Sequence, residues 1–180
     1  KVNVIDVAKV DVPKEAFSAV EISFSGDKVA ISTYKGEDSY VGVVEVDDAQ
    51  ETLAKEGEDE GGKEDEKNDD KTLGKKITSL DVLKGCKISS LNFSDDDGYV
   101  VANYVKGNGT RFKVYQSNGS IVSLELDDIF AEKEYNLIYE RIQDDNIIMN
   151  VTPIIESNNT ESGLIGRYKI SLKDFKLEKL

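Results

Sequence analysis

The feature that most constrains this chain is an alternation of apolar and polar residues with a period of two, repeated in short runs between turn-forming residues. Val20, Ile22 and Phe24 alternate with Glu21 and Ser23, and Val29 and Ile31 resume the pattern after Ser25-Gly26-Asp27-Lys28. Successive side chains of a strand point to opposite faces, so this spacing specifies strands with one buried face joined by a tight turn. Further runs cover 40–46, 77–82, 88–93, 99–105, 111–115, 121–126, 135–142, 146–151 and 164–172. Nearly all are rich in Val, Ile, Tyr and Phe, which fit a pleated surface. Asn108-Gly109 and Asn118-Gly119 tolerate the positive φ of hairpin turns, and Pro153 closes a run where a missing N–H does no harm. No segment holds a helical period over three turns, although 127–133 predicts one short turn of helix. The chain is expected to be all-β.

With 180 residues it has room for one ordinary core, and we expect a single domain over 1–180. One stretch stands apart. Residues 51–71 hold ten acids against four lysines and almost nothing to bury, so they predict a disordered acidic surface insertion. A first turn of helix is expected at 48–55, capped by Asp48. The whole chain carries 36 acidic against 23 basic residues, a net charge of −13. That sign repels a polyphosphate backbone and an anionic membrane surface, so neither nucleic acid nor a flat membrane contact is expected. No apolar run approaches the roughly 20 residues of a bilayer span.

Histidine is absent and Cys86 is the only cysteine. These two facts exclude Ser-His-Asp and Cys-His nucleophiles, His-ligated metals, cysteine-pair zinc sites and an internal disulfide. The glycines fall in turns rather than in a phosphate-binding frame, so no cofactor is expected. Cys86 has Lys84 and Lys87 beside it, which lower a thiol pKa, but it reads better as a small apolar residue entering a strand. Tyr34, Tyr99, Tyr104, Tyr115 and Tyr139 lie in strands, where cross-strand packing is their expected role.

Overlaying 19–32, 88–105 and 135–151 shows one recurring unit: an alternating strand, an Asp-bearing turn and a second strand. Phe24, Phe93 and Ile142 fall in the same slot, and the units recur at nearly equal spacing once the acidic insertion is removed. Phe24-Ser25-Gly26-Asp27-Lys28-Val29-Ala30 and Phe93-Ser94-Asp95-Asp96-Asp97-Gly98 through Ala102 resemble the blade openings of TolB-type and WD-like β-propeller repeats. Gly109 through Tyr115 and Asn118-Gly119-Ser120 look like the following hairpin of such a blade, whereas the third unit, at 143–147, lacks the Ser and the Gly. The resemblance implies about three antiparallel four-stranded meanders packed into one body, a partial or open propeller. A plain antiparallel sandwich or barrel is the competing architecture.

For function, Asp95 and Asp97, flanking Asp96 and followed by Gly98, are the metal candidates, because a calcium ion takes several oxygens at close spacing. No bidentate Glu follows at the spacing of a full calcium loop, so a hairpin turn using Asp for its own hydrogen bonds is the competing reading. No catalytic residue is nominated. The leading expectation is a non-enzymatic binding domain of a bacterial surface protein or lipoprotein, extracellular or in the cell envelope. Its anchor would lie in a segment missing from this chain, its partners would be a protein or cell-wall polymer, and a homodimer is possible. A carboxylate-dependent glycan hydrolase and a sensory ectodomain are the alternatives.

Overall fold

A computed structural model describes residues 15–46, 77–155 and 162–180. Twelve strands occur among them: β1 (Ala16–Ile22), β2 (Lys28–Lys35), β3 (Asp38–Glu45), β4 (Ile77–Leu83), β5 (Lys87–Phe93), β6 (Tyr99–Lys106), β7 (Gly109–Gln116), β8 (Ile121–Val122), β9 (Tyr135–Gln143), β10 (Asn146–Pro153), β11 (Gly166–Ser171) and β12 (Leu177–Lys179). They form three four-stranded antiparallel sheets, each taking four consecutive strands in chain order. This is the all-β architecture of propeller-like meanders, and the sheets do not close into a barrel. The expected acidic insertion at 51–71 and helix turn at 48–55 lie outside the described residues.

The second sheet, β5 to β8, is the shared layer. Val100, Ala102, Tyr104 and Tyr115 pack with Ala30, Val41, Val43, Leu80 and Leu83 of the first sheet. The alternate positions Val101, Phe112 and Val114 pack with Leu137, Ile147, Met149, Val151 and Ile170 of the third. A strand buried on both faces reads as a continuous apolar run, which is why Val100, Val101 and Ala102 are all fully buried. Phe130 completes the second interface by meeting the Tyr168 ring edge-on at 5.2 Å.

Several expectations move in register. Phe24 is not a strand residue; it sits at the turn between β1 and β2, 86% exposed. Ile22 pairs with Val29 as Phe93 pairs with Val100, so Ile22 takes the slot assigned to Phe24. The β6–β7 turn falls at Gly107-Asn108 rather than Asn108-Gly109, since Lys106 pairs with Gly109. The run at 121–126 yields only two strand residues, and the expected helical turn is a 3-10 turn at Leu126–Asp128. Asp144 and Asp145 both take left-handed φ (50° and 57°), which gives the third unit a two-residue hairpin and explains its missing Ser and Gly. Gly42 answers to a different need: a Cβ there would meet the Tyr40 hydroxyl at 2.5 Å, and that hydroxyl reaches Ser79 Oγ at 2.9 Å.

Candidate functional site

The two metal candidates sit in a turn that repeats in the first sheet. Ser23 and Ser94 each accept an N–H three residues on, from Gly26 (3.0 Å) and Asp97 (2.9 Å). Their hydroxyls accept the N–H five residues on, from Lys28 (3.0 Å) and Tyr99 (2.9 Å). Gly26 and Asp97 occupy the same left-handed position, φ 83° and 57°. Asp is one of the few side-chain residues that tolerates it. Asp96 accepts the Ser94 hydroxyl and the Gly98 N–H, which hold its carboxyl below the ordinary value.

Asp97 reaches across to the first sheet's copy of the turn. One carboxylate oxygen accepts the Phe24 N–H (2.7 Å), and the other accepts the Ser25 N–H (3.0 Å) and the Ser25 hydroxyl. Lys28 lies alongside, its ammonium 3.5 Å from the Asp97 carbonyl. Desolvation of this buried carboxyl pushes its pKa up, but the Ser25 hydroxyl, the Ser25 and Phe24 amides and Lys28 outweigh it and hold the group below the ordinary value. The structure thus uses Asp97 as a clamp between two turns. Asp95 is exposed and does not join it. Among the described residues no group of three or more Cys, Asp or Glu side chains is placed to hold a metal ion.

A second polar tie joins the same two sheets. Asp81 on β4 accepts the Tyr115 hydroxyl at 3.0 Å and lies 3.4 Å from the Lys113 ammonium. Burial first, then the Asp81 charge, pushes the Tyr115 phenol far above its ordinary range, so it stays a donor. Tyr104 is pushed up to about 12, chiefly by burial. Cys86 is buried, with its thiol directed at the Lys84 carbonyl (3.3 Å). Burial raises its pKa despite nearby Lys106 and Lys113, which fits the structural reading and not a reactive thiol.

Sequence reasoning missed the most enclosed cation among the described residues. Arg111 on β7 is 2% exposed. Its Nη1 donates to Asp127 at 3.0 Å and its Nη2 to the Phe130 carbonyl at 2.7 Å, stapling the β8–β9 connection to the sheet. Its Nε–H has no partner. Burial lowers the guanidinium pKa and Asp127 opposes that shift. Arg111 lines a pocket of about 250 Å³ between β7 and residues 121–127. An arginine at an alternating strand position gives no local sign of this role.

The outward faces of the end sheets differ. In the first sheet the register places Phe17, Thr33, Tyr40 and Val82 in one row, Val20, Ile31, Gly42 and Ser79 in the next, and Ile22, Val29, Val44 and Ile77 in a third. None is charged. Ile31, Tyr40 and Val44 are buried, while Phe17, Val20 and Ile22 on β1 are 53%, 56% and 65% exposed. The third sheet instead carries ion pairs on its outer side, Glu140 with Arg167 and Lys169 with Glu178 (3.0 Å).

No family model matches the chain, and no curated protein matches it. Solved structures do. The uncharacterized protein lmo1340 from Listeria monocytogenes EGD-e matches all of this chain over 43% of its own, at 12% identity and a TM-score of 0.52. TolB from Acinetobacter baumannii matches 92% of this chain over 32% of its own, at 8% identity and a TM-score of 0.45. A prolyl endopeptidase matches 91% over 27% of its own, at 12% identity and a TM-score of 0.43. The chain therefore spans less than half the length of each of these proteins. What the likeness to the Listeria protein establishes is the fold. Among the described residues no helix is long and apolar enough to cross a membrane.

Proposed function

We propose that this chain is a non-catalytic interaction domain of a bacterial cell-envelope protein, and that it engages a protein partner through the outer face of its first sheet. The observation that supports this reading is the set of three uncharged rows on that face, with Phe17, Val20 and Ile22 of β1 open to water on an otherwise strongly acidic chain. Exposed apolar clusters of this kind mark interaction surfaces in soluble proteins. The net charge of −13 selects a partner whose apolar patch is rimmed by lysine or arginine, and makes a second copy of this chain the weaker candidate.

A photo-crosslinking residue in place of Val20 on intact cells, compared with one in place of Ile138 on the third sheet, tests the reading. The expected result is capture of envelope proteins from position 20 and none from 138, with capture abolished in an Ile22→Lys background. Equal capture from both positions, or capture of cytoplasmic proteins alone, overturns it. Capture of the chain by itself would mean a homodimer.

A further inference from the structure

On the β7 edge away from β6 the ladder lapses at one position, Phe112. Gln116 N–H donates to the Ser120 carbonyl at 2.7 Å, and Thr110 N–H donates to Asn136 Oδ1 at 2.9 Å. Both bonds lie on the side of β7 away from β6. Backbone groups on one side of a strand recur at every second residue, so the N–H and C=O of Phe112 face that side too. Val114 pairs with Val122 there, but the ladder stops at that pair. Glu125 in a left-handed conformation (φ 48°) turns the chain into the 3-10 turn instead of continuing β8 past Phe112. Among the described residues no backbone partner meets Phe112 on this side.

The space left is the pocket of about 250 Å³, with Arg111, Phe112, Ser123, Leu124, Glu125 and Asp127 around it. A free strand edge is a template for another strand, and here it lies beside a buried donor, the Arg111 Nε–H, that has no acceptor. Charge decides what kind of acceptor fits. Asp127 already neutralises the guanidinium, Glu125 lines the same pocket, and Lys113 is engaged by Asp81, so an oxyanion would meet net repulsion. A peptide carbonyl supplies the same lone pairs without charge.

We infer that the unpaired Phe112 position of β7 takes an extended peptide segment of a partner protein, paired through the Phe112 N–H and C=O with one of its carbonyls accepting from Arg111 Nε–H. The pocket holds two or three residues and is smaller than the roughly 300–1,000 Å³ typical of small-molecule sites. Main-chain pairing would provide the affinity, and Leu124 and Ile121 the apolar walls that choose side chains. This site lies apart from the outer face of the first sheet and stands independently of that face's role.

The test uses the full chain labelled with ¹⁵N and the blocked peptide acetyl-Thr-Val-Thr-Val-Thr-amide as probe. The Phe112 amide and the Arg111 Nε–H are expected to shift along one saturation curve, and exchange of the Phe112 amide to slow by about tenfold. Ser123 is exposed on the pocket rim, so Ser123→Trp is expected to fill the space, leave the amide spectra of the first and third sheets unchanged, and abolish the response. Four results would each overturn the inference: no shift at millimolar peptide, shifts confined to residues 17–22, an unchanged response in Ser123→Trp, or inorganic phosphate moving the Arg111 Nε–H as far as the peptide does.

Discussion

The first and third sheets are built the same way, four consecutive strands in an antiparallel meander, yet they meet their outer surroundings differently. On the outer side of the first sheet three cross-strand rows carry no charge at all. On the outer side of the third, Arg141, Arg167, Lys169 and Glu178 alternate with the core residues Ile142, Tyr168, Ile170 and Leu177. A sheet with one face in water shows that clean alternation, and a sheet covered on both faces does not. The third sheet carries charge on its outer side. The first has three uncharged rows there, with Ile31, Tyr40 and Val44 already buried and only Phe17, Val20 and Ile22 of β1 largely exposed.

Substitutions on the two faces sharpen this contrast. The largest effect is expected from Ile147→Ala, on the inner side of the third sheet and fully buried: about 3 kcal/mol of stability lost in urea unfolding. Ile138→Ala, on the adjacent strand but 40% exposed, is expected to cost less than about 1 kcal/mol. Equal losses would mean that the third sheet is covered on both sides.

Next comes the clamp. Asp97→Ala leaves the Phe24 and Ser25 donors without their acceptor and is expected to cost about 2 kcal/mol. Because the folded carboxyl titrates below its ordinary value of 3.8, the unfolded chain binds the proton more readily. The clamp's contribution is therefore complete above the unfolded pKa and is lost as pH falls through the folded one. The stability gap between the wild type and Asp97→Asn is expected to shrink on acidification from pH 5 to below the ordinary carboxylate range of about 3.9. A gap that widens would refute the hydrogen-bond assignment.

Two smaller effects complete the comparison. Val20→Lys with Ile22→Lys is expected to leave stability within about 0.5 kcal/mol while removing partner capture, because both side chains are more than half exposed. Glu140→Gln weakens a bidentate but exposed pair with Arg167 and is expected to change thermal stability by less than about 1 kcal/mol.

The meanders were legible because a period of two survives in a strand with one face buried, as in Val20 through Ile31, while Tyr99 through Val105 and Asn146 through Val151 read as short apolar runs bounded by turns. What local pattern could not carry was pairing. Ser23 and Ser94 are structural equivalents, but matching the Phe-Ser dipeptides set Phe24 against Phe93 and displaced the first turn. The run at 121–126 keeps alternating in sequence while Glu125 leaves the strand, so β8 was expected but its early end at Val122 was not. The short β12 was missed because Leu177-Glu178-Lys179 offers a single apolar residue. Asp97 and Arg111 act on residues far along the chain, and nothing adjacent to them announces the partner.

Because each sheet draws only on neighbouring segments, nearly every hairpin closes over a few residues, and such short-range topologies assemble quickly. The exceptions are β11, which returns to β10 across residues 154–165, and above all β4, which must return to β3 across the whole span between Glu45 and Ile77. Each doubling of that separation adds about 0.6 kcal/mol of closure entropy. Kinetically, then, the first sheet is the one whose last strand arrives late, and shortening the excursion before Ile77 is the simplest way to hasten the completion of the native state.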